Sequence, residues 1–187
     1  MQNVKTGPTE MTNADAPTLE NVMLQALEPL GEGTALAQQI FELIGHSRFL
    51  ADFTRDEVQR LAGFMRIYRA REGQLIIREG DTDDHMLLIV QGQVEVVKSD
   101  SLGNRQPMTI VGPGATLGEM SMIDGEPRFA SCVALEPTTF AVFFRSSMVQ
   151  IILEEPSLGA KVLVKLITLL SQRLRQTSSD LLQQRER

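Results

Sequence analysis

Between Arg66 and Arg145 glycines cut the chain into short, apolar, β-branched runs, and this rhythm limits the available folds more than any other feature. The runs are Gln74 to Arg78, Met86 to Val90, Gln93 to Lys98, Met108 to Val111, Phe129 to Leu135 and Thr139 to Phe144. Each is shorter than an ordinary helix and carries side chains that suit a pleated surface. Gly73, Gly80, Gly92, Gly103, Gly112 and Gly114 fall between the runs, where the backbone has to reverse tightly. The pattern predicts an antiparallel β-roll of the jelly-roll or barrel type.

Helical patterns flank this block, so the class is α+β. The organisation expected is a flexible lead over residues 1–17, N-terminal helices over 18–65, the barrel over 66–145 and C-terminal helices over 146–187. Leu19 to Leu30 suits a short helix ended by Pro29 and Gly31, and Ala35 to Ile44 suits a second ended by Gly45. Thr54 and Glu57 form a capping box for a third, running to about Met65. Ser146 suits the cap of a helix to Glu154, and Pro156 separates it from a long final helix. There Leu163, Ile167, Leu170, Leu174, Thr177 and Leu181 follow a heptad seam, while Val162, Leu166 and Leu169 form a second stripe for the chain's own barrel. A free seam predicts a homodimer through this helix.

Composition excludes several functions. With 42% hydrophobic and 22% charged residues the chain has enough apolar material for a core. No stretch approaches the roughly 20 apolar residues of a membrane span, so no membrane partner is expected and the location predicted is cytoplasmic. Cys132 is the single cysteine and reads as a buried filler, which leaves no disulfide and no cysteine-built metal cluster. A net charge of −6 argues against nucleic acid as a partner, because such binding neutralises many phosphates. His46 and His85 are too few for a metal site, and Asp81, Asp83 and Asp84 read as a solvated turn. Neither a nucleophile elbow nor a paired Ser and His appears, so no enzyme is expected.

The chemistry concentrates in Gly118-Glu-Met-Ser-Met-Ile-Asp-Gly-Glu-Pro-Arg128-Phe-Ala-Ser-Cys132. Gly118 lets the backbone approach a ligand, the amides after it point partial positive charge outward, and Arg128 adds a planar fork that fits two phosphate oxygens. Glu119 repels an anion unless it meets another part of the ligand, and a ribose 2′-hydroxyl is such a part. Met120 and Met122 pack beneath this segment or line the sugar side. A cyclic nucleotide presents phosphate and 2′-hydroxyl close together.

At this point the sequence resembles the cyclic nucleotide-binding domain family over about residues 46 to 182. Gly118-Glu119, then Arg128 and Ala130, match the family's phosphate-binding cassette, and Glu79-Gly80-Asp81, Gly92 and Gly112 stand at its turns. The resemblance implies that Glu119 holds the 2′-hydroxyl, that Arg128 holds the cyclic phosphate, and that amides near Ser121 and Phe129 complete the anion site. Arg173-Leu174-Arg175-Gln176-Thr177-Ser178 is similar to the segment with which catabolite-activator relatives contact adenine, which implies Thr177 and Ser178 as base contacts. One position departs from the pattern: where relatives carry Ala, Ser or Thr after the arginine, this chain has Phe129.

The implied function is a stand-alone receptor for cAMP, with cGMP as the alternative ligand, working in signal transduction by passing binding to an unidentified effector protein. No cofactor or metal is implied. Two other readings compete with it: a truncated or atypical catabolite-activator-type regulator, and a ligand-free dimerisation or docking module. Only Leu182 to Arg187 follow the long helix, which argues against a helix-turn-helix.

Overall fold

The computed structural model describes residues 22–185, so the lead expected over residues 1–17 lies outside them. The first of two antiparallel sheets has the order β1 (Glu28–Glu32), β2 (Arg66–Ala70), β9 (Thr138–Phe144), β4 (His85–Gln91) and β7 (Thr116–Leu117). The second has the order β3 (Leu75–Ile77), β8 (Ser131–Ala134), β5 (Val94–Ser99) and β6 (Arg105–Val111). Every run named from the sequence contributes a strand, and the two sheets form the jelly roll.

β4 and β9 read as almost continuous apolar runs because both of their faces are covered. Leu87, Ile89, Phe140 and Val142 point into the roll, where they meet Ile76, Val94 and Cys132 from the second sheet. Met86, Leu88, Ala141 and Phe143 alternate with them and face the helices. Gly92, in the turn that carries the chain from β4 in the first sheet to β5 in the second, has a φ of +93°, and a Cβ there would lie 2.7 Å from Thr138 Cα. Glycine is thus required where this turn passes the start of β9.

The helical layer is built from both ends of the chain. α2 (Ala37–Glu42) lies between two 3₁₀ turns, and α3 (Arg55–Ala62) opens with the expected reciprocal capping box. Thr54 Oγ1 accepts from Glu57 N at 3.2 Å, and Glu57 Oε2 accepts from Thr54 N at 2.7 Å. α5 (Arg145–Glu154) and α6 (Pro156–Arg185) follow β9, with Pro156 at the first position of α6, where its missing N–H costs nothing. Val162, Leu166 and Leu169 are buried against the helix-facing side of the first sheet. Leu163, Ile167 and Leu174 of the seam are exposed.

Three local expectations change. The helix expected over Leu19 to Leu30 is only α1 (Val22–Gln25) among the described residues, and Glu28–Glu32 pairs with β2 as an edge strand. Pro29 fits an edge, where its lack of a donor leaves no ladder bond unmade. The N-terminal helical region therefore carries a strand of the roll. β2 was not among the strands named from sequence, because Arg66 and Arg69 break its apolar run. Ser146 is not a cap, since α5 begins one residue earlier with Phe144 at the N-cap and no side-chain hydrogen bond there.

Candidate functional site

A break in the strand pattern creates the site. After β7 the chain turns at Gly118, whose φ of +78° is left-handed, and enters the short helix α4 (Glu119–Asp124). A Cβ on Gly118 would collide with the Arg128 guanidinium and lie 3.0 Å from the His85 carbonyl. A second left-handed glycine, Gly125 with φ +79°, ends α4, and Pro127 leads to Arg128.

Arg128 is 2% exposed and is fixed by its own backbone. Its N–H donates to Asp81 O at 2.8 Å, its carbonyl accepts from Gly80 N at 2.9 Å, and Nη1 donates to Gly118 O at 2.8 Å. Nε and Nη2 are buried with no partner. Asp83 Oδ2 lies 3.8 Å from Nε, beyond a good hydrogen bond, and is itself unpartnered. Burial lowers the Arg128 pKa while Asp83 raises it, and burial lifts the Asp83 carboxyl above its ordinary range against the pull of Arg128. The guanidinium keeps its charge.

Glu119 is 1% exposed, an expensive position for a carboxylate without a cation. Arg173 of α6 supplies one: its Nη1 donates to Glu119 Oε1 and its Nη2 donates to Thr116 O at 2.7 Å. Glu119 Oε2 has no partner. One cleft therefore contains two unsatisfied donors on Arg128 and one unsatisfied acceptor on Glu119. Buried polar atoms are rarely left without partners, and those that are mark a place for a ligand or water. Donors and an acceptor on the lining of one cleft suit a molecule with an anionic group beside a hydroxyl.

Gly118, Glu119, Met120, Ser121, Arg128, Phe129 and Ala130 all line this cleft, as do Arg173 and Cys132. Ser121 is buried, Met120 is half exposed, and Met122 turns into the core. Thr177 and Ser178 do not line the cleft of their own chain; they lie on an exposed stretch of α6, where Ser178 Oγ donates to Leu174 O at 2.8 Å.

Four residues around the cleft have roles that the sequence does not announce. Arg173 was read as part of a similar segment rather than as the partner of Glu119, and nothing local announces an ion pair 54 residues long in sequence. Asp83 is not part of a solvated turn, because the fold brings it beside Arg128. Arg145 bonds the last carbonyls of α4, Nε to Met122 O and Nη2 to Ser121 O, both at 2.7 Å. His85 is fully buried with both ring nitrogens unpartnered and its ring 5.7 Å from that of Phe144. Burial, with the Arg128 charge second, pushes its pKa down to about 3.

Residues 68–155 match the family described as Cyclic nucleotide-binding domain. A crystal structure of a cyclic nucleotide-binding domain from Methylobacillus flagellatus is 39% identical, with a TM-score of 0.78, over 87% of this chain and 92% of that one. This chain belongs to the cyclic nucleotide-binding domain family. The Thermus thermophilus catabolite activator protein superposes with a TM-score of 0.67 at 28% identity, over 72% of this chain and 62% of that one. The cyclic AMP receptor protein of the same organism is 32% identical over 110 residues, 59% of this chain and 49% of the relative. The chain thus spans about half the length of the curated relatives it matches. In this cyclic nucleotide-binding domain the cleft is lined by Gly118 to Ser121 and Arg128 to Ala130, with Arg173 of α6 beside them.

Proposed function

We propose that the domain is a cytoplasmic, non-catalytic receptor for a cyclic mononucleotide, with cAMP as its ligand. The reading rests chiefly on the unsatisfied polar atoms of the cassette: Arg128 Nε and Nη2 as donors for the cyclic phosphate, and Glu119 Oε2 as acceptor for the ribose 2′-hydroxyl. A charge-assisted pair to phosphate supplies affinity, and the carboxylate rejects nucleotides that lack the hydroxyl. The name of the Thermus relative supports cAMP. Calorimetric titration tests the assignment: Arg128→Leu abolishes cAMP binding while circular dichroism shows a folded domain, and undiminished affinity in that variant refutes the reading.

Binding passes outward through α6. Arg173 holds the carboxylate that the sugar needs, so a ligand engaging Glu119 acts on a bond that α6 also uses. The exposed seam Leu163, Ile167 and Leu174 supports a homodimer, in which Thr177 and Ser178 of one protomer would approach the base held by the other. An effector protein reading the repositioned helices completes the proposal. A second reading, the sensor region of a transcription regulator, is favoured by the description of a 27% identical relative, from Mycobacterium tuberculosis, as a cAMP-activated global transcriptional regulator. A salt-sensitive gel shift with duplex DNA separates the two.

A further inference from the structure

The side chain of Phe129 is a hydrophobic ring in an unusual setting. It follows the buried Arg128 yet is 53% exposed, and it lines the mouth of the cleft that holds Glu119 and Arg128. It is also held in place. Lys98 Nζ lies 4.1 Å from the ring centroid and donates to the Phe129 carbonyl at 2.6 Å and to Glu79 Oε1 at 2.8 Å. The ammonium occupies one face of the ring, and Glu79 fixes the ammonium. The rest of the ring surface faces the cleft and solvent.

The size of the cleft says what would lie there. At about 110 Å³ it is smaller than the roughly 300–1,000 Å³ usual for small-molecule sites, enough for a sugar and ring phosphate but not for a base as well. A nucleotide whose sugar and phosphate fill this space on Arg128 and Glu119 extends its base beyond it, and Phe129, half exposed on the lining of the cleft, is placed to meet that base. An immobilised aromatic ring loses little freedom when a second flat ring lies on it, and every nucleobase offers a face.

The geometry points to Phe129 as the specificity-determining residue of the site: a stacking platform that selects purine cyclic nucleotides by ring area and separates adenine from guanine poorly. This inference deepens the receptor assignment and rests on it. A phenyl ring has no hydrogen-bonding group with which to read the edge of a base, so what Phe129 itself contributes to selection is stacking, which grows with the size of the base.

The test is calorimetric titration of cAMP, cGMP and cUMP into the full chain and its Phe129→Ala, Phe129→Leu and Phe129→Tyr variants. The unaltered protein should bind cAMP and cGMP within about tenfold of each other and cUMP more weakly. Alanine and leucine should both weaken the two purine ligands about tenfold, with a smaller change for cUMP, whereas tyrosine should retain purine affinity. Leucine binding like phenylalanine, cUMP binding as tightly as cAMP, or purine affinity unchanged in Phe129→Ala while cAMP still binds the unaltered protein would each overturn the platform and leave the receptor assignment standing. Loss of dimerisation in Phe129→Ala with cAMP affinity intact would assign the ring to a second copy, again overturning it. No binding of any cyclic nucleotide to the unaltered protein would overturn both.

Discussion

His85 occupies a strand position whose neighbours Leu87 and Ile89 are core residues, and it carries its imidazole into the roll with neither nitrogen satisfied. Its folded pKa of about 3 lies below the unfolded value of 6.5, so only the unfolded chain takes up a proton between these values. The stability it permits is therefore complete above about pH 6.5 and lost progressively as the pH falls toward 3, amounting to about 2 kcal/mol by pH 5. Denaturant titrations at pH 7 and pH 5 should show this loss in the unaltered protein and a smaller one in His85→Leu. Gly118→Ala tests the neighbouring turn. The added methyl meets the Arg128 guanidinium at a backbone angle that alanine adopts reluctantly, so about 1–3 kcal/mol of stability and most of the ligand affinity should be lost. Arg128 and Glu119 stand out in the sequence because they belong to a glycine-led segment that interrupts the strands and combines an anion-binding fork with a carboxylate. Arg173 and Asp83 do not, because their roles depend on which distant segment the fold brings beside them.

At the scale of elements, α6 has two apolar stripes with different tasks. Leu166 is fully buried with Val162 against the first sheet, so Leu166→Ala should cost about 2–5 kcal/mol in urea unfolding. Ile167→Glu, on the exposed stripe, should leave unfolding unchanged and, if the proposed homodimer forms through this stripe, yield a monomer in sedimentation. The spacing of the apolar residues makes both stripes legible in the sequence. The same period gave no warning of β1, where Pro29 and Gly31 interrupt a pattern that otherwise suits a helix. Sheet edges carry weak sequence signals because neither face is buried, and every residue of β1 is exposed. The capping box at Thr54 was legible because its partners lie three residues apart, whereas the tie from Lys161 to Glu57 spans 104.

For the whole molecule, the receptor assignment predicts mass-action stabilisation: cAMP at a hundred times its Kd should add about 2.7 kcal/mol and raise the melting temperature. Arg128→Leu should show no such rise. The overall architecture was legible because glycine punctuation and alternating hydrophobicity repeat along the barrel, so many weak local signals agree. Arg173 lies four residues beyond Leu169, the last deeply buried side chain among the described ones of α6, and the helix continues to Arg185. At 1.5 Å per residue, Arg173 is roughly 6 Å and Arg185 roughly 24 Å past that point. A rigid rod pivoting there acts as a lever with an advantage of about four, so an ångström of travel at the guanidinium becomes several at the tip.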